Sequence, residues 1–333
     1  MARKPKERKP EIPSEGDQAF RKKDPMGRWP ELTFSGALSF MRRPYTRDLE
    51  GVDVAVSGIP FDSATTARPG CRFGPRAIRQ GSCETASLLP FPFGFDPFDH
   101  LAVVDYGDCF IDHHRPDTVE HTIVAHASQI LSAGASMLTF GGDHYVSYPL
   151  IKAHARKHGP VALLQFDAHC DTWPDDRASF NHGSMFLRGA EEGLIDVTRS
   201  AQVGLRTFND SDHGFEILTA PWVHRNGVEA TIAAIKERVG NARVYLSFDI
   251  DCLDPAFAPG TGTPVPGGLA SWQALEILRG LGSLDFVGMD LVEVAPAYDH
   301  ADITALAAAH VANDYLCLLA EKRGAKRRPV GRV

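Results

Sequence analysis

Three apolar runs of strand length, Met137–Phe140, Val161–Phe166 and Arg243–Phe248, each break directly into a stretch carrying aspartate, the first two with histidine as well. The first runs into Gly141-Gly142-Asp143-His144, the second into Asp167-Ala168-His169-Cys170-Asp171 and the third into Asp249-Ile250-Asp251. Further strand patterns lie at Val52–Gly58, Leu101–Tyr106, Ala201–Gly204 and Phe286–Val294. Between several of them stand helical patterns at Thr118–Leu131, Tyr148–His158, Val228–Val239 and Trp272–Leu281, with Ala301–Ala320 closing the series. Strand and helix alternating in this way imply a largely parallel sheet covered on both faces. Ligands of such sheets sit beyond the carboxyl ends of the strands, which is where all three polar segments begin.

On an extended segment alternate side chains share a face, so Asp167, His169 and Asp171 are expected to point one way, as are Asp249 and Asp251. Four carboxylates and two imidazoles would then meet. Four like charges in one pocket repel and lose water unless something positive neutralises them. Two divalent cations match the four aspartates in charge, and a mixed oxygen and nitrogen set suits manganese, cobalt, nickel or zinc better than calcium or a thiolate metal. Two divalent ions also acidify water toward neutral pH, which makes hydrolysis the expected reaction class. The cluster Gly260-Thr261-Gly262 runs into Pro264 and Pro266 rather than a helix, so it fails as a phosphate loop and reads as a loop near the mouth of the site.

Charge is unevenly placed along the 333 residues. Residues 1–30 carry a net +4 and the remainder a net −11, and an acidic body argues against a nucleic-acid surface. The basic start, Arg3 to Lys9, has no apolar stretch behind it and reads as a solvated tail rather than a leader. The basic end around Lys326-Arg327-Arg328 reads the same way. The expected organisation is therefore a flexible tail over 1–30, one catalytic domain over 31–322 and a short tail over 323–333. No run of about 18 apolar residues stands out as a membrane span. Six cysteines without CxxC spacing disfavour both a disulfide scaffold and a zinc knot, so a reducing cytoplasm is the expected compartment. Cys170 and Cys252 alternate with the acidic residues and are expected to face away and pack.

Gly-Gly-Asp-His at 141–144, Asp-Ala-His-x-Asp at 167–171 and Ser-Phe-Asp-Ile-Asp-Cys-Leu-Asp-Pro at 247–255 resemble the three signatures of the ureohydrolase superfamily of arginases, agmatinases and related guanidino-acid hydrolases, in the expected order. The resemblance runs from about Gly58 to Val311. It implies a three-layer α/β/α arginase-like fold with a mostly parallel central sheet, and a centre of two divalent ions, Mn2+ with Ni2+ as the alternative. Carried over by position, His144, Asp167, Asp171 and Asp249 would hold one ion and Asp167, His169, Asp249 and Asp251 the other, with Asp171 also orienting the attacking oxygen. Glu293, in Asp290-Leu291-Val292-Glu293, matches the guanidinium-binding glutamate, a role suited to a carboxylate that can accept paired N–H donors. His182, in His182-Gly183-Ser184-Met185-Phe186, matches the proton-shuttling histidine. Asp143 and Asp254 are expected to orient ligands.

The branch resembled most is that of the bacterial agmatinases, through Arg68 to Arg79 and Gly204 to Thr207. The implied reaction releases urea and an amine from a small guanidino substrate, with agmatine leading and guanidinobutyrate, guanidinopropionate, a small alkylguanidine or a biguanide as alternatives. The loop Trp173 to Asn181 is expected to form the wall that reads the substrate's far end. There Asp175 and Asp176 would favour a cationic tail, Arg177 opposes them, and Asn181 stands where many agmatinases carry an acid. Relatives commonly form trimers or hexamers, so a homo-oligomer is implied, a hetero-oligomer is the alternative, and neither nucleic acid nor membrane is expected as a partner. Two other readings are a cysteine-dependent enzyme with Cys170 as nucleophile and a non-catalytic, metal-binding subunit of a hetero-oligomer.

Overall fold

The computed structural model describes residues 18–20, 25–27, 33–176, 179–328 and 331. Eight strands form one parallel sheet: β1 (Val54–Gly58), β2 (Val103–Asp108), β3 (Ser136–Phe140), β4 (Ala162–Phe166), β5 (Ala201–Val203), β6 (Glu216–Leu218), β7 (Arg243–Asp249) and β8 (Asp285–Val292), in the spatial order β2-β1-β3-β8-β7-β4-β5-β6. Seven α-helices are described: α1 (Gly74–Thr85), α2 (Val119–Ser132), α3 (Ser147–His158), α4 (Met185–Glu191), α5 (Ala220–Val239), α6 (Ser271–Gly280) and α7 (Ile303–Lys322).

The strand runs are apolar throughout because both faces are covered, and the period-2 geometry sorts their residues between two cores. Val54, Val56, Leu138, Phe140, Leu164, Phe166, Leu246 and Phe248 pack on one face with residues of α5, α6 and α7. Ala55, Met137, Leu163 and Tyr245 pack on the other with residues of α2, α3 and α4. The fold is thus the three-layer parallel architecture that the sequence implied.

Three elements escape the sequence pattern. β6 is only three residues long, too short to show a period. α1 opens with Gly74-Pro75 and spends Arg79 on a buried ion pair with Asp105 and Asp108, so its apolar stripe is thin. α4 has seven residues. In addition, α5 starts eight residues before the expected Val228, because Thr219 caps a first segment that Gly227, at φ 83°, interrupts. One expectation is corrected outright: α7 is long and apolar enough, by length and composition, to cross a membrane, although His310, Asn313 and Asp314 interrupt its apolar run. Most of that apolar surface is buried, packed with α1 and α6.

The described parts of the two termini touch the body. Arg43 donates to the carbonyls of Pro25 and Gly27, and Gly27 N donates to Phe98 O. At the other end Arg327 pairs with Glu321, and Arg328 N donates to Phe93 O.

Candidate metal centre

The three polar segments leave β3, β4 and β7, which lie close together in the middle of the sheet with β8 between β3 and β7. Gly142 is required here, since a Cβ on it would come within 1.6 Å of Phe61 O. The chain can then turn into the short helical turn that starts at His144.

The side chains converge, though not by strand alternation. β4 stops at Phe166, and Asp167 folds its own segment back, its Oδ1 accepting from His169 N at 2.6 Å. Asp249 does the same to Asp251 N at 2.8 Å, capping a single helical turn. Asp171 sits at φ 52°, a left-handed conformation that aspartate tolerates better than most residues. Turn geometry, with carboxylates bonding backbone two residues on, replaces the expected extended face.

His144 Nδ1 lies 3.1 Å from Asp167 Oδ2, 2.8 Å from Asp171 Oδ2 and 3.2 Å from Asp249 Oδ2. His169 Nδ1 lies 3.4 Å from Asp167 Oδ1 and 3.1 Å from Asp251 Oδ2. Two groups capable of holding an ion result, His144 with Asp167 and Asp249, and Asp167 with His169 and Asp251. Asp167 belongs to both. Asp249, expected in both, is grouped only with the first.

The donor chemistry fits a cation. Ser247 Oγ donates to Asp290 Oδ1 at 2.6 Å, so it accepts from His144 Nε2 at 2.8 Å and fixes that nitrogen as the protonated one. His144 Nδ1 is left buried, without a hydrogen-bond partner and facing three carboxylate oxygens. Burial and mutual repulsion push Asp249 well above the usual carboxylate range, and burial with the charge of Asp167 raises Asp171 to about 6. Burial opposes the charge on His169, yet Asp251 and Asp167 outweigh it and push the imidazole up to about 12. A cation bound here would supply the counter-charge that burial and mutual repulsion demand.

Beneath the cluster runs a row of polar residues that the sequence reading did not single out as a set. Thr139, Asp290, Ser247, Gln165 and Gln202 are register partners on β3, β8, β7, β4 and β5, and all are buried. Gln165 Nε2 donates to Asp167 Oδ2 at 2.7 Å, and Gln202 Nε2 to Cys170 O at 2.6 Å. The signal was present: Gln165 and Ser247 stand two residues before Asp167 and Asp249, each a polar residue flanked by apolar ones.

Asp143 and Asp254 do other work than expected. Asp143 Oδ2 accepts from Ala64 N, and Asp254 accepts from the backbone of Ala256, Gly267 and Gly268, so each secures a loop and neither bonds a candidate ligand's side chain. Among the arginines, Arg79 and Arg72 form ion pairs with aspartates inside the chain, and Arg206 donates to the carbonyls of Asp251 and Val265.

A pocket of about 340 Å³ opens beside the cluster, lined by Thr66, His169, Asp171, Trp173, Asn181, His182, Gly183, Asp249 and Thr263. Thr263, just past the Gly260–Gly262 turn, brings that loop to the mouth as expected. His182 Nδ1 lies 2.8 Å from Glu293 Oε1, and Nε2 accepts from Thr66 N at 3.2 Å and lies 3.1 Å from Thr66 Oγ1. Burial would lower the pKa of His182, but Glu293 outweighs it and lifts it to about 9. Glu293 is buried behind His182 and outside the pocket lining. Its Oε1 also accepts from His144 N at 2.9 Å, and its Oε2 from Cys71 Sγ at 2.8 Å, a cysteine within the Arg68–Arg79 stretch to which no role was assigned.

Of the three wall residues, Asn181 lines the pocket, with its Oδ1 accepting from Gly183 N. Asp175 accepts from Ser184 Oγ, and Asp176 is exposed; neither lines the pocket, because the loop bonds to the start of α4 rather than leaning over the cavity. Arg177 lies outside the described residues. Cys170 and Cys252 are both buried, and Cys170 Sγ accepts from Asn209 Nδ2 at 3.2 Å while burial raises its pKa. That thiol is not placed as a nucleophile. His154 and His310 bond backbone carbonyls on their own helices, and His113 and His114 are exposed.

Known proteins resemble this chain in sequence and fold. The chain is 62% identical to an agmatinase from Chromobacterium violaceum over 92% of its own length and 96% of that protein's. Among solved structures, a hypothetical agmatinase from Burkholderia thailandensis is 58% identical with a TM-score of 0.91, covering 92% of this chain and 98% of that one. The proclavaminate amidino hydrolase from Streptomyces clavuligerus is 39% identical with a TM-score of 0.83, covering 87% and 99%. The profile of the arginase family matches residues 52–317. With fold, site geometry and sequence in agreement, the chain belongs to the arginase family.

Proposed function

We propose that this chain hydrolyses agmatine to putrescine and urea at a centre of two divalent metal ions. Family membership and the high identity to an agmatinase make it a hydrolase acting on guanidino C–N bonds. The observation that carries the assignment is the buried, unpartnered His144 Nδ1 among three carboxylates, next to a pocket that presents His182. In this reading His144, Asp167, Asp171 and Asp249 hold one ion, and Asp167, His169, Asp249 and Asp251 the other. Mn2+ is the metal proposed, with Ni2+ as the alternative, since an N/O donor set accepts both. Bound there, two such ions supply the counter-charge of the aspartates and acidify water.

The chain's own residues do the rest. Asp171, on the pocket wall, accepts a hydrogen bond from the attacking water and aims it. In this structure Nδ1 of His182 donates to Glu293 and Nε2 accepts from Thr66 N. His182 would take up its second proton at Nε2, the end facing the pocket, once the Thr66 contact is released, and pass it to the departing amine, while Glu293 stabilises the imidazolium from behind. A direct contact between Glu293 and the guanidinium would use Oε2, the oxygen that Cys71 occupies. Residues 31–322 are taken as one catalytic domain, and a homo-oligomer as the assembly.

A second substrate reading has an observation of its own. Among the described residues lining the pocket, Asp171 and Asp249 are the carboxylates, and both belong to the cluster. Asn181 offers an amide to the substrate's far end, which also suits a guanidino acid such as guanidinobutyrate. The test is urea release by purified protein loaded with Mn2+ or Ni2+, from agmatine, arginine, guanidinobutyrate, guanidinopropionate and methylated guanidines. Agmatine is expected to give the highest kcat/KM; no urea from any of them would discard the reaction.

A further inference from the structure

The segment Asp62–Arg72, between β1 and α1, touches the His182–Glu293 pair at both ends. Thr66 reaches His182 Nε2 through its N and Oγ1, and Cys71 Sγ reaches Glu293 Oε2 at 2.8 Å. Resting on the reaction proposed above, we infer that Asp62–Arg72 positions the proton-transferring pair, with Cys71 as the positioning residue that fixes the Glu293 carboxylate.

Glu293 sits at φ 63°, one residue past β8, and is buried. Its Oε1 serves two donors, His182 Nδ1 and His144 N. Both bonds hold only while the carboxylate keeps one rotation, and the Cys71 thiol supplies the bond to the other oxygen. A thiol is a weak donor to a neutral acceptor, but a carboxylate acceptor strengthens the bond. Burial and the nearby charge of Glu293 keep the thiol protonated, so it remains a donor.

The segment has little slack. Asp62 Oδ2 accepts from Gly70 N at 2.8 Å and Arg72 N at 3.3 Å, and Asp62 Oδ1 accepts from Arg72 Nε at 2.5 Å, closing the turn that carries Cys71. Asp143 Oδ2 ties Ala64 N at 2.7 Å. At the start of α1 a Cβ on Gly74 would lie 2.6 Å from Val294 O, so the backbone just past Cys71 rests against the chain just past Glu293. Moving Cys71 off Glu293 would require the helix start to move as well.

The test compares Cys71→Ala and Cys71→Ser with wild type in the manganese-loaded full-length protein, with agmatine as substrate. C71A should lower kcat about tenfold, the size expected for losing one charge-assisted bond. KM should stay within about twofold and metal content at the wild-type level, and C71S, which keeps a donor, should recover most of the rate. Should C71A fail to fold, Asp62→Asn opens the same turn and should lower kcat in the same direction by less. Wild-type kcat in C71A, failure of C71S to recover, or loss of metal in step with the rate would overturn the assignment while leaving the reaction standing. No urea from wild type with any guanidine would overturn both.

Discussion

The metal cluster and the wall loop Trp173–Ser184 face each other across one pocket, yet they are built by different means. The cluster is set by the sheet: its aspartates and histidines follow the ends of β3, β4 and β7, and a buried polar row one step down the strands bonds to two of them, His144 and Asp167. The wall is held by bonds within the loop, Asp175 on Ser184 and Asn181 on Gly183, and by contacts from outside it, Trp173 Nε1 on Phe208 O and Phe180 against Phe61 and Tyr145. The cluster is therefore anchored to the sheet, whereas the wall is a loop that can vary without disturbing a strand.

The largest expected effect breaks the cluster. Asp249→Ala removes a carboxylate from the first group and should cost on the order of a thousandfold in kcat/KM, with less than two ions per chain by elemental analysis. His182→Ala, across the pocket, should cost about a hundredfold in kcat and keep both ions. Equal metal loss in the two variants would erase the distinction between cluster and wall. The pH profile adds a finer measure. His182 is protonated below about 9, so its proton is available at neutral pH and is lost as pH rises through that value. The rate should fall about tenfold per unit above it. Glu293→Gln removes the charge that raises His182, so the alkaline limb should move toward the ordinary histidine range near 6.5. An unmoved limb would mean that another group supplies the proton. Ser247→Ala, one step beneath the cluster, should weaken metal binding about tenfold in a competition titration and leave kcat near wild type at saturating metal.

The same contrast explains what could be read in advance. Strands that pass through a core covered on both faces must be apolar, and charge at their ends has nowhere to hide, so β3, β4, β7 and the six candidate ligands stood out. Thr139, Gln165, Ser247 and Asp290 were legible in principle, each a polar residue just before the last one or two apolar residues of a strand. Their meaning depends on the order of strands in space, which pairs Gln165 with Ser247 and Ser247 with Asp290. The role of Cys71 was not legible, since 222 residues separate it from Glu293. Asp175 and Asp176 stand near His182 in sequence, but that proximity says nothing of which way a loop bonds, and the structure places Asp175 on Ser184 and Asp176 at the surface, off the described lining.

The smallest effect concerns that wall. If the tail of agmatine is read beside Asn181, Asn181→Asp places a carboxylate on the pocket lining and should lower the KM for agmatine about two- to fivefold, the scale of a solvent-screened ion pair. The same change should raise the KM for guanidinobutyrate, whose tail is an anion. Asp176→Asn, exposed and off the lining, should move either constant by less than about twofold. Steady-state KM values for both substrates in the three proteins decide the matter. A rise in agmatine KM with D176N that exceeds the fall with N181D would put the recognition of the tail on the outer loop, and the wall would then have to close over the substrate to reach it.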